Sequence, residues 1–165
     1  MTLNYPIRVL FLCTHNSARS QMAEGFLREF GGKDFEMYSA GTEQTRVHPL
    51  AIKTMHENNI DITNHTSKIV NQFIEQSFDF VITVCDSAKD SCPVFMGTVT
   101  ERAHWSFPDP TAGETEEQRI QAFHTVAVEL RERVRVWVTV QRKQLVEQGV
   151  EVDLYEGVQA DAENS

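Results

Sequence analysis

The stretch Cys13-Thr14-His15-Asn16-Ser17-Ala18-Arg19-Ser20 follows an apolar run, Ile7 to Leu12, and leads into a helical pattern. A thiol, five residues and then Arg-Ser is a spacing suited to holding a tetrahedral oxyanion. A buried strand would end at Cys13, and a short loop would turn into a helix whose first N–H groups have no acceptor within the helix. Those donors, with the positive end of the helix dipole, make an anion site. The amides of Thr14, His15, Asn16, Ser17 and Ala18 can curl round one anion, and Arg19 adds a planar fork of donors for two of its oxygens. Positive potential at the foot of such a loop favours a thiolate, so Cys13 is the expected nucleophile. The hydroxyl of Ser20 can donate to that sulfur or to a leaving group. The bland alternative is a buried strand-end cysteine and a solvent-facing arginine, and it leaves the ordered combination unexplained.

Two more cysteines carry chemistry. Cys85 closes a second apolar, β-branched run, so two strands are expected to deliver thiols to the C-terminal edge of a parallel sheet, where ligands sit in such folds. Six residues, five of them polar, separate it from Cys92, which Pro93 follows. If helical, that spacing rises by about 10.5 Å, whereas a disulfide needs Cα atoms within about 7 Å. The segment would have to unwind to join them. On the residues alone the pair is either two unrelated cysteines or the continuation of a relay begun at Cys13. Asp109, between Pro108 and Pro110, is a candidate proton donor on a stiff loop; the plain reading is a turn aspartate.

These groups need elements to position them. Ile7 to Cys13 reads as a strand buried on both faces. The helix after the loop turns Met22, Ala23, Phe26, Leu27 and Phe30 to one side, and Gly31-Gly32 stops it. Phe35 to Ala40, closed by Gly41, is the second expected strand. Pro49 opens a helix running to about Asn59, and Ser67 is placed as the cap of a third helix with Ile69, Val70, Phe73 and Ile74 as its apolar stripe. Asp79 to Cys85 and Ala103 to Phe107 are the remaining strands. From Glu114 to about Gln148, Ile120, Phe123, Ala127, Leu130, Val134, Val138 and Leu145 recur at helical spacing, and that period outweighs the strand propensity of the valine-rich run inside it.

The expected fold is therefore α/β: one domain over residues 1–148, an open parallel four-stranded sheet with helices on both faces. Residues 149–165 read as an acidic, mobile tail. The formal charge of the 165-residue chain is -9, but six acids and no base follow Lys143, so the rest carries only -3. Nucleic acid and anionic membranes are poor partners for such a chain, and its anion must be held by local donors. No run is long enough to span a membrane and the N-terminal apolar stretch is no signal peptide, so a cytoplasmic monomer is expected. An odd cysteine count suits reactive thiols better than a disulfide scaffold. His48, His56, His65, His104 and His124 lack metal-ligand spacing; no metal or cofactor is expected, with His65 and His104 as possible supports of the site.

The run Cys13 to Glu24 resembles the anion loop shared by low-molecular-weight protein tyrosine phosphatases and the arsenate reductases built on the same fold. Cys85-x6-Cys92-Pro93, with His104-Trp105-Ser106-Phe107-Pro108-Asp109-Pro110, resembles the thioredoxin-coupled arsenate reductases in particular. The similarity spans about Ile7 to Ala127. It implies a three-thiol relay. Cys13 attacks arsenate with Asp109 as proton donor, Cys85 attacks Cys13 and expels arsenite, and Cys92 closes a disulfide with Cys85 that thioredoxin reduces. Phosphate or sulfate would fit the same loop. Two departures stand out. His15 occupies a position where the family usually has glycine, and Ala18 replaces a common cysteine. Some relatives hold potassium through residues matching Asn16, Glu24, Ser39 and an aspartate; here the last is Lys68, whose ammonium could take the cation's place beside Glu24. A phosphatase and a non-catalytic oxyanion-binding module are the rival readings.

Overall fold

A computed structural model describes residues 2–86 and 92–152. Its sheet has four parallel strands, β1 (Ile7–Cys13), β2 (Phe35–Gly41), β3 (Ser77–Thr83) and β4 (Thr98–His104), in the spatial order β2-β1-β3-β4. Strand β1 is central, which is why nearly every residue in it is apolar and buried. Its register sets Cys13 against Gly41 and Leu12 against Thr83, so the ends of three strands meet at one edge.

Helices α1 (Arg19–Gly31), α2 (Pro49–Glu57) and α3 (Glu116–Glu147) enclose the main core, in which Val9, Phe11, Phe80 and Ile82 of the sheet meet Phe26, Leu27, Phe123 and Leu130. Phe11, Phe26 and Phe123 are fully buried, each stabilising the fold by roughly 1.5–3 kcal/mol. The opposite face buries Leu10, Leu12 and Val81 against Phe73 and Phe95, with a 3-10 turn at Val70–Phe73. Helix α3 resolves the conflict in its valine-rich run. Val134 and Val138, four apart, are buried, while Val136 and Val140 face solvent. Thr115 and Gln118 form a reciprocal capping box at its start. Arg142 near its end ties α3 to α1, donating to the buried Asp34 carboxylate at 2.9 Å and to Gly31 O at 2.8 Å.

Three expectations are corrected. The helix placed after Ser67 is only the 3-10 turn, because the preceding backbone is already committed: Lys68 N donates to Asn16 Oδ1 at 2.8 Å, Gly41 N donates to Lys68 O at 2.9 Å, and Ile69 bridges Gly41. The last strand is Thr98–His104 and not Ala103 to Phe107. As an edge strand paired on one side only, it tolerates the exposed polar residues that hid it in the sequence. Strand β3 stops at Thr83, short of Cys85. The expected tail begins with Val150 and Val152 packed on the main core, and residues 153–165 lie outside the described residues. Among the described residues no helix is long and apolar enough to cross a membrane.

Candidate active site

Cys13 ends β1, and six residues later α1 begins at Arg19, so the loop between them turns over the positive end of the helix dipole. Asn16 takes a left-handed backbone, φ 50°, which asparagine tolerates better than most residues. Its side chain is locked. Asn16 Nδ2 donates to Ser20 Oγ at 2.8 Å, and Asn16 Oδ1 accepts from Gln21 Nε2 at 2.9 Å and from Lys68 N at 2.8 Å. Ser20 Oγ lies 2.9 Å from Cys13 Sγ. Since that hydroxyl already accepts from Asn16, its own proton is available to the sulfur.

Arg19 is 4% exposed, and Nη1 donates to Phe107 O at 3.0 Å, two residues before Asp109. The guanidinium thereby ties the anion loop to the loop carrying the candidate acid. Asp109 Oδ1 accepts from Thr111 N at 2.9 Å and Thr111 Oγ1 at 2.7 Å, which fixes the carboxyl. Cys13, His15, Ser17, Ala18, Arg19, Asp109 and Thr111 line one small pocket. The sequence-predicted loop and Asp109 thus converge. Thr14 serves through its carbonyl, which accepts from Glu43 N at 3.1 Å and Thr42 Oγ1 at 3.2 Å.

Cys85 is fully buried beyond the end of β3, and Cys92 is half-buried. Burial pushes the Cys85 thiol up, and a hydrogen bond with Cys92 pushes the same way; Cys13 and Arg19 also lie close enough to act on it electrostatically. Cys13 ends β1 and Cys85 follows two residues after the neighbouring end of β3, so both thiols leave the sheet at one edge, with Cys92 beside Cys85. Cys92 lines a separate surface groove with Val81, Thr83, Val94, Arg102 and His104. Ser87 to Ser91, the segment expected to unwind, lies outside the described residues.

Glu24 is buried below the loop. Its carboxylate accepts from Ser39 Oγ at 3.3 Å and Arg28 Nη2 at 3.2 Å, and faces His65 Nδ1 at 3.0 Å. Burial works to raise its pKa, but the hydrogen bond and charge of His65, with the charges of Lys68 and Arg28, outweigh it and hold the group below the usual carboxylate range. Lys68 Nζ donates to Thr66 O at 2.6 Å, so the direct contacts to Glu24 come from His65 and Arg28. A potassium ion does not fit this arrangement: Asn16 Oδ1 is already taken by two N–H donors and Glu24 is already matched by cations. Stability supplied by Glu24 is present above the ordinary carboxylate pKa and lost as pH falls through its depressed folded value. Replacing Glu24 by Gln should therefore lower the melting temperature near neutral pH and narrow the gap to wild type in acid, as calorimetry across pH will test.

Two residues escaped sequence reasoning. Gly41 reads in the sequence only as a strand end, yet a Cβ there would lie 2.5 Å from Thr14 O, 2.8 Å from Asn16 N and 3.0 Å from Cys13 O. These are backbone atoms of the anion loop and cannot swing aside. Gly41→Ala is expected to cost about 1–3 kcal/mol in denaturant unfolding and to lower anion affinity, because the loop must shift. No local signal marks this position. His48 N donates to Ser17 O at 2.9 Å, its Nδ1 caps α2 by accepting from Leu50 N at 3.0 Å, and its ring rests on Phe123. Burial and the charges of Arg119 and Arg46 lower its pKa against the pull of Asp109, which suits a ring nitrogen used as an acceptor.

Residues 8–150 match the family described as low molecular weight phosphotyrosine protein phosphatase. An arsenate reductase of Oceanobacillus iheyensis is 44% identical over 130 residues, covering 78% of this chain and 93% of its own. A solved structure described as an arsenate reductase in the phosphate binding state superposes with a TM-score of 0.69 at 35% identity, covering 81% of this chain and 97% of the other. A thioredoxin-dependent arsenate reductase of Corynebacterium glutamicum superposes with a TM-score of 0.59 at 27% identity, covering 83% of this chain and 63% of the other.

Proposed function

Because this chain belongs to the low-molecular-weight phosphotyrosine protein phosphatase family, we propose that it turns that family's anion loop to the reduction of arsenate to arsenite through a three-cysteine relay. Arsenate sits on the amides of residues 14–18 and the fork of Arg19. The Cys13 thiolate, supported by Ser20, attacks arsenic; an As–O bond breaks, and Asp109 gives the departing oxygen its proton so that it leaves as water. Cys85 then attacks Cys13 Sγ. An S–S bond forms, the S–As bond breaks, and its electron pair stays on arsenic, which leaves as arsenite. Cys92 attacks Cys85, releasing Cys13 as thiolate. The resulting Cys85 to Cys92 disulfide is reduced by a dithiol donor, thioredoxin being the reading that the named relatives favour. Asn16, Glu24 and Ser39 support the loop from behind, with Lys68 contributing its backbone N–H and its charge.

The observation that carries this reading is the position of Cys85, hydrogen-bonded to Cys92 and within electrostatic reach of Cys13 and Arg19. A simple hydrolase has no use for that pair. The reducing conditions the relay needs fit a cytoplasmic protein. Steady-state arsenate reduction with thioredoxin, glutaredoxin and a monothiol in turn tests the proposal; turnover is expected with the thioredoxin system and little with the others. The phosphatase reading is favoured by the family and by the loop itself. It predicts instead that aryl phosphate hydrolysis proceeds undiminished in Cys85→Ser, with no arsenate turnover under any donor. A binding module would hold the anion and turn over neither.

A further inference from the structure

The relay gives the His15 side chain of the pocket wall no task. His15 lines the anion pocket beside Cys13, Arg19 and Asp109, and its Nδ1 lies 3.0 Å from Glu43 Oε2. Both side chains are more than half exposed, 51% and 63%, so solvent reaches the ring. The backbone on both sides is stapled. His15 O accepts from Thr45 Oγ1 at 3.0 Å and Ser67 Oγ at 3.1 Å, while Glu43 N donates to Thr14 O. Ring and carboxylate are therefore held as a pair at the pocket's lip.

A neutral ring that gives its one N–H to Glu43 has only a lone pair left on Nε2, and the pair as a whole carries the carboxylate's negative charge. That charge opposes an incoming oxyanion. A protonated ring cancels it and gains a second N–H. The charged or titratable groups on the elements around the ring are Glu43 and Arg46 of the segment after β2, Cys13 and Arg19 of the loop and α1, Asp109 across the pocket, and Lys68 next to Ser67. Of these, Glu43 makes the direct contact.

We propose that His15, held by Glu43, is a specificity-determining residue that makes oxyanion capture proton-dependent, the protonated ring admitting a dianion that the neutral pair disfavours. The inference rests on the anion-site reading above. Histidine is the side chain suited to such a change near neutrality, and one unit charge a few ångströms from the anion at a partly exposed site is worth about tenfold in affinity.

The test is equilibrium binding of sulfate, which stays a dianion throughout, to the reduced full-length protein between about pH 5.5 and about pH 8.5. Wild type is expected to gain about tenfold more affinity on acidification than His15→Gln, with His15→Ala as a second variant. Glu43→Gln should bind more tightly than wild type at the alkaline end. The His15 ring resonance should titrate at higher pH with sulfate bound than without, a shift that a merely structural residue would not give. Equal pH slopes for wild type and both His15 variants would overturn the proposal while leaving the anion site intact. No sulfate or phosphate binding by wild type would overturn both.

Discussion

Replacing Cys92 by Ser is expected to stop catalysis after one event and to leave the protein with a disulfide between Cys13 and Cys85. No further thiol of the chain then remains to attack Cys85. One equivalent of arsenite should appear per protein molecule, and steady-state turnover should fall by roughly 10³-fold or more. Mass spectrometry of the digested product would find the Cys13 and Cys85 peptides linked. The buried Cys85 thiol, raised by its surroundings, must lose its proton to attack. Formation of the trapped disulfide should therefore accelerate as pH rises towards and beyond the ordinary thiol range. Cys85→Ser should stop one step earlier, with no disulfide to Cys13. Wild-type turnover in the Cys92 variant would remove that residue from the relay.

The second large effect is expected at Arg19. The side chain is almost wholly buried and bridges the anion loop to Phe107 O. Arg19→Lys keeps the charge and loses the planar fork, so it can neither grip two oxygens at once nor hold the acid loop in the same way. A loss of roughly 10²- to 10³-fold in kcat/KM for arsenate follows, with weaker competitive inhibition by phosphate. Because the residue serves both anion and acid loop, kcat and KM should both change. A variant within a few-fold of wild type would mean that the amides alone hold the substrate.

The Arg19 variant probes a position that local sequence marks well. An apolar run ending on Cys13, the Arg-Ser at fixed spacing and the 3.6-residue period of α3 are coded by neighbours a few residues apart, and such patterns survive whatever the rest of the chain does. The central strand could be read for the same reason, since a strand buried on both faces is apolar throughout. Strand β4 could not. Its place at the edge of the sheet allows Thr98, Thr100, Glu101 and His104 to be exposed, and nothing in those residues distinguishes an edge strand from a loop.

By itself, then, the sequence determined the strand, loop and helix that carry Cys13 and Arg19, the parallel α/β class and the identities of the three thiols. Tertiary structure alone decided how they meet. It set Gly41 against the loop backbone, spent the residues around Ser67 on hydrogen bonds to the loop in place of a helix, gave Glu24 the partners His65 and Arg28, and put Cys85 within electrostatic reach of Cys13. Each of those depends on which faces of distant elements adjoin. Periodicity says which face of an element is apolar, while the choice of neighbour is made only when the whole sheet is ordered and its edge closes round the pocket.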